Sequence, residues 1–190
     1  MAIFKYHLYL SITVLFFGLA GSRACAADVD DPWVLIDTKT YSLTVLSASN
    51  RPLARFRNIA LGRGGVSDKH LDGDTTTPLG TFHVAWINQH SRFRIFFGLD
   101  YPTRSDAARA FALGIIDRTD YEAILSAHRY GYLPPQDTAL GGEIGIHGVG
   151  EGSPEIQQNV NWTKGCIALP NADAVALGKW VHVGTKVIIR

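Results

Sequence analysis

One cysteine and one histidine near the C-terminus have the sequence surroundings of a catalytic pair. His147 lies in Ile144-Gly145-Ile146-His147-Gly148, and Cys166 opens Cys166-Ile167-Ala168-Leu169. Alternate side chains of a strand point to opposite faces, so the isoleucine and leucine side chains would fill a core while His147 and Cys166 project out of it. The pattern therefore predicts that the thiol and the imidazole face the same cleft.

A thiol beside an imidazole can perform nucleophilic catalysis. A free cysteine, with a pKa of about 8.5, is only slightly ionised at neutral pH. We expect the nearby imidazole to raise the thiolate fraction of Cys166 and then to return the proton to a leaving amine. The backbone N–H groups of Gly165 and Cys166 are candidates to bind the developing oxyanion. The alternative is a small buried cysteine and a hydrogen-bonded core histidine with no chemistry.

Metal and nucleotide sites are weaker hypotheses. Glu143 or Glu151 could join the pair at a zinc ion, but no second His or Cys stands at ligand spacing beside either glutamate, so we predict no metal. The glycine-rich segment 62–65 is not followed by Lys-Ser/Thr in phosphate-loop register, which favours a turn.

The composition is that of one globular domain. Of 190 residues, 46% are hydrophobic and 18% charged, which is enough apolar material for a core and excludes a disordered chain. The formal net charge of +1 argues against a nucleic-acid binder. Two cysteines are too few for a disulfide-stapled scaffold.

The N-terminus predicts export. Lys5 precedes an apolar stretch at residues 8–20, and Ala24-Cys25-Ala26 is typical of a cleavage site, so residues 1–26 read as a secretory signal peptide. The alternatives are an uncleaved anchor, for which the stretch falls short of the ~20 residues a spanning helix needs, and a lipid attached to Cys25. Cleavage would leave Cys166 as the only thiol, in the periplasm or cell wall. A lone thiol in an oxidising compartment indicates a function.

In the rest of the chain, apolar and polar residues alternate as they do in the strands of a sheet protein. Strands are predicted at residues 33–36, 41–45, 53–61, 81–86 and 186–190. Helices are predicted at residues 105–113, from a capping box at Thr119, and from Asn171 as N-cap to just before Gly184. We expect a mostly-β domain at residues 27–190 with an inserted helical hairpin at 101–141 and a C-terminal helix. Because the insertion directly precedes the His147 strand, we predict that it is a lid; the alternative is that it only covers an apolar edge.

Two further patterns make a family resemblance specific. Ile146-His147-Gly148 and, 19 residues after the histidine, Thr163-Lys164-Gly165-Cys166-Ile167 resemble the signature of the L,D-transpeptidase (YkuD-type) catalytic domain. Thr77-Pro78-Leu79-Gly80-Thr81-Phe82 resembles a turn of that family. Asn171-x-Asp173 and the segment 183–189 resemble its last helix and strand, so the resemblance covers most of the chain after the signal peptide.

The resemblance implies a β-sandwich and a cysteine acyl-transfer reaction on peptidoglycan stem peptides. Cys166 would attack the carbonyl before the terminal D-alanine, and His147 would act as base and then acid with Nδ1 held by the carbonyl of Gly148. The residues implied for oxyanion and substrate binding are Trp162, Thr163, Lys164 and Gly165. The acyl group would pass to an amine of a neighbouring stem, or to water. The resemblance implies no metal or organic cofactor. We also predict no nucleic-acid partner, no stable membrane anchor after cleavage and a monomer.

Two positions depart from the common pattern of that family. Lys164 stands where many members have His, and Ala168 stands where many have Arg or Asn, which removes a stem-carboxylate contact. Trp162-Thr163-x-Gly-Cys-Ile-Ala is more similar to a subgroup that includes hydrolases releasing wall-attached lipoprotein. A hydrolase of the same linkages (an amidase or L,D-carboxypeptidase) and a non-catalytic wall-binding module therefore stay open. A papain-like protease would have its Cys before its His, the reverse of the order here.

Overall fold

The structure is a computed structural model that describes residues 31–68, 71–152, 155, 157 and 161–190. The signal peptide predicted at residues 1–26 lies outside these residues. The strands are β1 (Trp33–Asp37), β2 (Ser42–Leu46), β3 (Pro52–Arg57), β4 (Val66–Ser67), β5 (Thr77–Pro78), β6 (Gly80–Asn88), β7 (Phe96–Leu99), β8 (Gly145–Gly148), β9 (Ile167–Leu169) and β10 (Lys186–Ile189). The helices in these residues are α1 (Arg104–Ala112), α2 (Arg118–Tyr130) and α3 (Asn171–Leu177). The predicted mostly-β class is confirmed.

Eight of the strands form one mixed sheet in the order β3-β2-β1-β10-β6-β7-β8-β9, while β4 and β5 pair separately. The pairs β1/β10 and β8/β9 are parallel, and the other neighbours in the large sheet are antiparallel. The long strand β6 pairs with β10 at its start and with β7 at its end, and the register shifts between Val84 and Trp86. A bulge of this kind bends a strand, so β6 carries the sheet from one half to the other.

The two ends of the sheet meet through the chain that leaves β3. Ala60 exchanges two backbone hydrogen bonds with Ala168 of β9, with N···O distances of 2.9 and 2.8 Å. Apolar side chains from both halves join one buried cluster, which includes Val34 and Ile36 of β1 and Ile167 and Leu169 of β9. The alternation of apolar residues seen in the sequence thus fills a core between the two halves.

The inserted hairpin is built from α1 and α2. Thr103 caps α1 in a capping box with Asp106, and α2 ends at Gly131, whose φ of 74° is the left-handed conformation that glycine favours. Ala107 and Ile124 are fully buried in the main core. No described residue of α1 or α2 lines the cleft that contains Cys166. The helices therefore pack on the sheet, and the insertion reaches the cleft only through the chain that follows it.

Two predicted helix starts were wrong. The N-cap of α2 is Asp117, whose side chain accepts the N–H of Asp120, and not Thr119. The N-cap of α3 is Pro170, and the helix ends at Leu177. The side chain of Asn171 is used elsewhere, because its amide bonds both the N–H and the C=O of Gly150.

Candidate active site

The floor of the cleft is aromatic because two glycines make room for it. Trp86 lies across Gly98, where an added Cβ would come within 2.2 Å of the indole. Phe96 lies across Gly145, where an added Cβ would come within 2.6 Å of the ring. The two rings stack with their centroids 4.9 Å apart. A flat apolar surface therefore extends across three strands up to His147.

His147 lies in β8 on the cleft face of the sheet but is only 2% exposed. Phe93, Phe96 and Trp162 surround the imidazole, with ring centroids 4.3, 5.7 and 5.8 Å away. Nδ1 lies 2.7 Å from the carbonyl oxygen of Gly148, the contact that the family resemblance implied. Since a carbonyl only accepts, Nδ1 carries the hydrogen and Nε2 of the neutral ring has its lone pair available.

Burial keeps this imidazole neutral. Desolvation by the surrounding rings lowers the pKa of His147 to about 4, opposed by the hydrogen bond to Gly148 and assisted by the nearby charge of Arg92. Protonation would place a charge in an apolar enclosure, which is why the pKa falls below its usual value near 6.5. At neutral pH the side chain is therefore a base and not an acid.

Cys166 stands immediately before β9, on the same face as His147. The parallel register pairs Ile146 with Ile167 and His147 with Ala168, so Cys166 lies opposite Gly145 and diagonal to His147. Its Sγ donates to the backbone carbonyl of Glu143 at 3.3 Å. The predicted placement of both side chains outside the core, around one cleft, agrees with this geometry.

The expectation of a raised thiolate fraction is wrong for this structure. Burial raises the pKa of Cys166 to about 11, opposed by a backbone hydrogen bond from Gly145 and assisted by the negative charge of Glu143. A neutral imidazole offers no positive charge to counter the desolvation. The resting pair therefore consists of a neutral thiol and a neutral imidazole.

Thr163 fixes the loop that leads to Cys166. Its hydroxyl donates to the carbonyl of Cys166 at 2.6 Å and accepts the N–H of Gly165 at 3.2 Å. Gly165 has a φ of 133°, which a residue with a side chain rarely adopts. The Gly165 N–H, predicted as an oxyanion donor, is thus bonded to Thr163 in this structure.

The glycine-rich segment and the residue before it are hydrogen-bonded to this loop. The N–H of Thr163 donates to Leu61 at 3.2 Å, and the carbonyl of Thr163 accepts from Arg63 at 3.0 Å. Between these residues, Gly62 donates to the buried hydroxyl of Thr77 at 2.8 Å. A Cβ on Gly62 would come within 2.3 Å of a backbone oxygen of Thr75. Through these hydrogen bonds, the predicted turn at residues 62–65 connects Thr77 to the loop that contains Cys166.

The cleft above the pair has a volume of about 760 Å³ and carries charge on its walls. Arg92 and Lys164 contribute positive charge, and Asp72 and Glu143 contribute negative charge. Among the predicted binding residues, Trp162, Thr163 and Lys164 line the cleft, whereas Gly165 is buried behind them. Sequence reasoning missed Trp86, Phe93, Phe96, Arg92 and Asp72 as lining residues, and named Glu143 only as a metal ligand.

The family comparison matches this architecture. The model of the YkuD L,D-transpeptidase catalytic domain matches residues 31–189, which include the whole cleft. The chain belongs to this family. A comparison with curated proteins found no match.

Solved structures show the same fold. The helical cell shape determining protein Pgp2 from Campylobacter jejuni superposes with a TM-score of 0.57 and 21% identity, over 86% of this chain and 48% of that one. Bd1075 from Bdellovibrio bacteriovorus superposes with a TM-score of 0.53 and 15% identity, over 85% of this chain and 48% of that one. This L,D-transpeptidase domain thus spans about half the length of these two proteins.

Two structural features are absent from the described part of the chain. No helix there is long and apolar enough to cross a membrane. No group of three or more His, Cys, Asp or Glu side chains in residues 31–68, 71–152 and 161–190 stands close enough together to hold a metal ion.

Proposed function

We propose that this protein is an exported peptidoglycan L,D-transpeptidase that forms a thioester between Cys166 and a tetrapeptide stem. The observation that carries the proposal is the pairing, in one cleft, of a thiol with a buried neutral imidazole whose Nδ1 is fixed on the carbonyl of Gly148. That hydrogen bond sets the tautomer that a general base for the thiol requires.

The acyl-transfer step uses the two side chains in turn. Nε2 of His147 takes the thiol proton as Sγ of Cys166 attacks the carbonyl carbon that precedes D-alanine. The C–N bond then breaks, and the imidazolium returns the proton to the departing amine of D-alanine. A side-chain amine of a second stem attacks the thioester carbonyl, loses its proton to His147, and releases the thiol. Each cycle exchanges one amide for another and restores both groups.

The developing oxyanion needs donors close to Cys166. The N–H of Cys166 itself is the donor we assign, because the N–H of Gly165 is bonded to Thr163. The ammonium of Lys164 at the cleft wall can add positive charge.

The charged walls fit a substrate of mixed charge. A stem peptide carries carboxylates at its C-terminus and an ammonium on its third residue when that residue is a diamino acid. Arg92 lies near enough to His147 to lower its pKa, and Glu143 lies near enough to Cys166 to raise its pKa. Positive charge therefore lies near His147 and negative charge near Cys166, which suits a substrate that brings both a carboxylate and an amine to the cleft.

Hydrolysis of the same linkages is the second candidate. No described residue of α1 or α2 lines the cleft, so the hairpin does not itself cover the thioester in this structure. Water would then compete with the amine acceptor, and release of wall-attached lipoprotein would belong to the same chemistry. Incubation with purified tetrapeptide muropeptides tests the proposal: cross-linked dimers and free D-alanine support transpeptidation, tripeptides alone indicate hydrolysis, and unchanged muropeptides indicate a non-catalytic wall-binding module.

A further inference from the structure

Cys166 is hydrogen-bonded to Glu143, a residue in an unusual backbone conformation. Glu143 accepts the thiol hydrogen of Cys166 through its carbonyl oxygen, and its φ is 53°. A non-glycine residue in this region is strained, so it persists only where neighbouring contacts hold it. The side chain of Glu143 plays no part in the contact with sulfur.

The contact that holds Glu143 comes from the end of the helical insertion. Oε1 of Gln136 accepts the N–H of Glu143 at 2.7 Å. Nε2 of the same amide donates to the carbonyls of Tyr101 and Pro134, both at 2.8 Å. One glutamine side chain thus joins the residue where the insertion begins, the turn after α2, and the residue that touches the thiol.

The surrounding packing makes this connection stiff. Tyr101, buried at the base of the insertion, donates its hydroxyl to the carbonyl of Leu140 at 3.0 Å. Gly142 lies so close to Gln136 that an added Cβ would come within 2.6 Å of its backbone. A movement of the insertion relative to the sheet would therefore be transmitted to Glu143.

We propose that Gln136 is a positioning residue for Cys166: it holds the strained Glu143 so that the carbonyl of Glu143 orients the thiol and keeps it protonated until His147 takes the proton. The helical insertion then governs the nucleophile through this amide, although its helices do not line the cleft. The idea rests on the proposed function for its effect on turnover, but its effect on the thiol does not.

The test uses Gln136→Met in a Cys25→Ala background, where Cys166 is the only thiol. Met keeps the length of the side chain and removes every hydrogen bond of the amide. Gln89→Met, at an exposed position, is the matched control. Alkylation of Cys166 by iodoacetamide at pH 7 and turnover of tetrapeptide muropeptides are both measured, and melting temperatures establish folding.

In Gln136→Met the alkylation rate of Cys166 should rise while kcat for muropeptide turnover should fall. Loss of one hydrogen bond to the neutral thiol raises the alkylation rate about threefold to tenfold. Misorientation of sulfur lowers kcat about tenfold with KM within about twofold. Gln89→Met should match the parent on both measures. An alkylation rate in folded Gln136→Met that is unchanged or slower overturns the inference.

The inference can fail separately from the proposed function. If the parent protein turns over no muropeptide, the proposed function fails, while the alkylation comparison still decides the role of Gln136. If Gln136→Met does not fold, the S–H stretching band is compared between the parent protein and Gln136→Asn, which keeps the amide and shortens the side chain by one CH2 group. A parent band at the frequency of a hydrogen-bonded thiol that moves toward the free-thiol frequency in Gln136→Asn supports the inference. A free-thiol band in the parent, or a band that does not move in the variant, overturns it.

Discussion

Replacing Thr163 by valine removes one hydroxyl and leaves the shape of the side chain nearly unchanged. Two hydrogen bonds disappear: the donation to the carbonyl of Cys166 at 2.6 Å and the acceptance from the N–H of Gly165 at 3.2 Å. Thr163 is only 3% exposed, so valine itself fits, but both backbone groups lose a buried partner. We expect the loop to relax and Cys166 to leave its position beside His147.

The size of the effect follows from the partners that are lost. An unsatisfied buried polar group costs about 1–3 kcal/mol, and both groups lie beside the cleft, where water partly compensates. The low end for two groups gives about 2 kcal/mol. For a domain of this size, that corresponds to a melting temperature lowered by about 4–8 °C. A displacement of the sulfur by about 1 Å would lower kcat by about 100-fold.

Thermal melting and muropeptide turnover measure the two effects, with Thr163→Ser as the control. Serine keeps the hydroxyl and loses only a methyl group, so its kcat should stay within about threefold of the parent value. A Thr163→Val protein with parental kcat and melting temperature would show that the hydroxyl does not position the nucleophile.

Three other perturbations test separate parts of the site. Cys166→Ala should abolish turnover while the melting temperature stays within about 3 °C of the parent, because a small side chain beside a cleft leaves little cavity; retained turnover would end the assignment of the nucleophile. Because the imidazole of His147 is neutral above a pKa of about 4, kcat/KM should rise with pH through about 4 and then be level to at least pH 8. A half-maximal rate near pH 6.5 would show that burial does not shift this pKa. Gly98→Ala places a methyl group within 2.2 Å of Trp86, so it should displace the indole and raise KM, and an unchanged KM would refute the role of the aromatic floor in substrate binding.

The placement of Cys166 and His147 around one cleft was accessible from the sequence because strand periodicity is local. Ile146 and Ile167 are buried, and the residues beside them turn to the opposite face, as the alternation predicts. The hairpin of α1 and α2 was also accessible, since the Ala-rich run before Gly114 and the glycine stop at Gly131 are local signals, although the N-cap of α2 is Asp117 and not Thr119. Its role as a lid remains a prediction, and the structure offers Gln136 as the link through which the insertion could act.

The features that could not be predicted from the sequence depend on contacts between segments that are distant along the chain. Strand β7 was missed because Phe96-Phe97-Gly98-Leu99 is buried on both faces and therefore shows no alternation. The low pKa of His147 arises from rings that only the fold brings around it. The capping role expected of Asn171 gave way to its bonds with Gly150, 21 positions away. Tertiary partners of this kind override a local preference.

The central claim is that Cys166 carries the acyl group of a stem peptide, with His147 as its base. Intact-protein mass spectrometry during turnover of a tetrapeptide muropeptide tests it most directly. We predict an adduct on Cys166 with the mass of the substrate less D-alanine, formed slowly in His147→Ala and absent in Cys166→Ala. Release of D-alanine by Cys166→Ala at the parental rate, or an adduct mapped to another residue, would contradict the account.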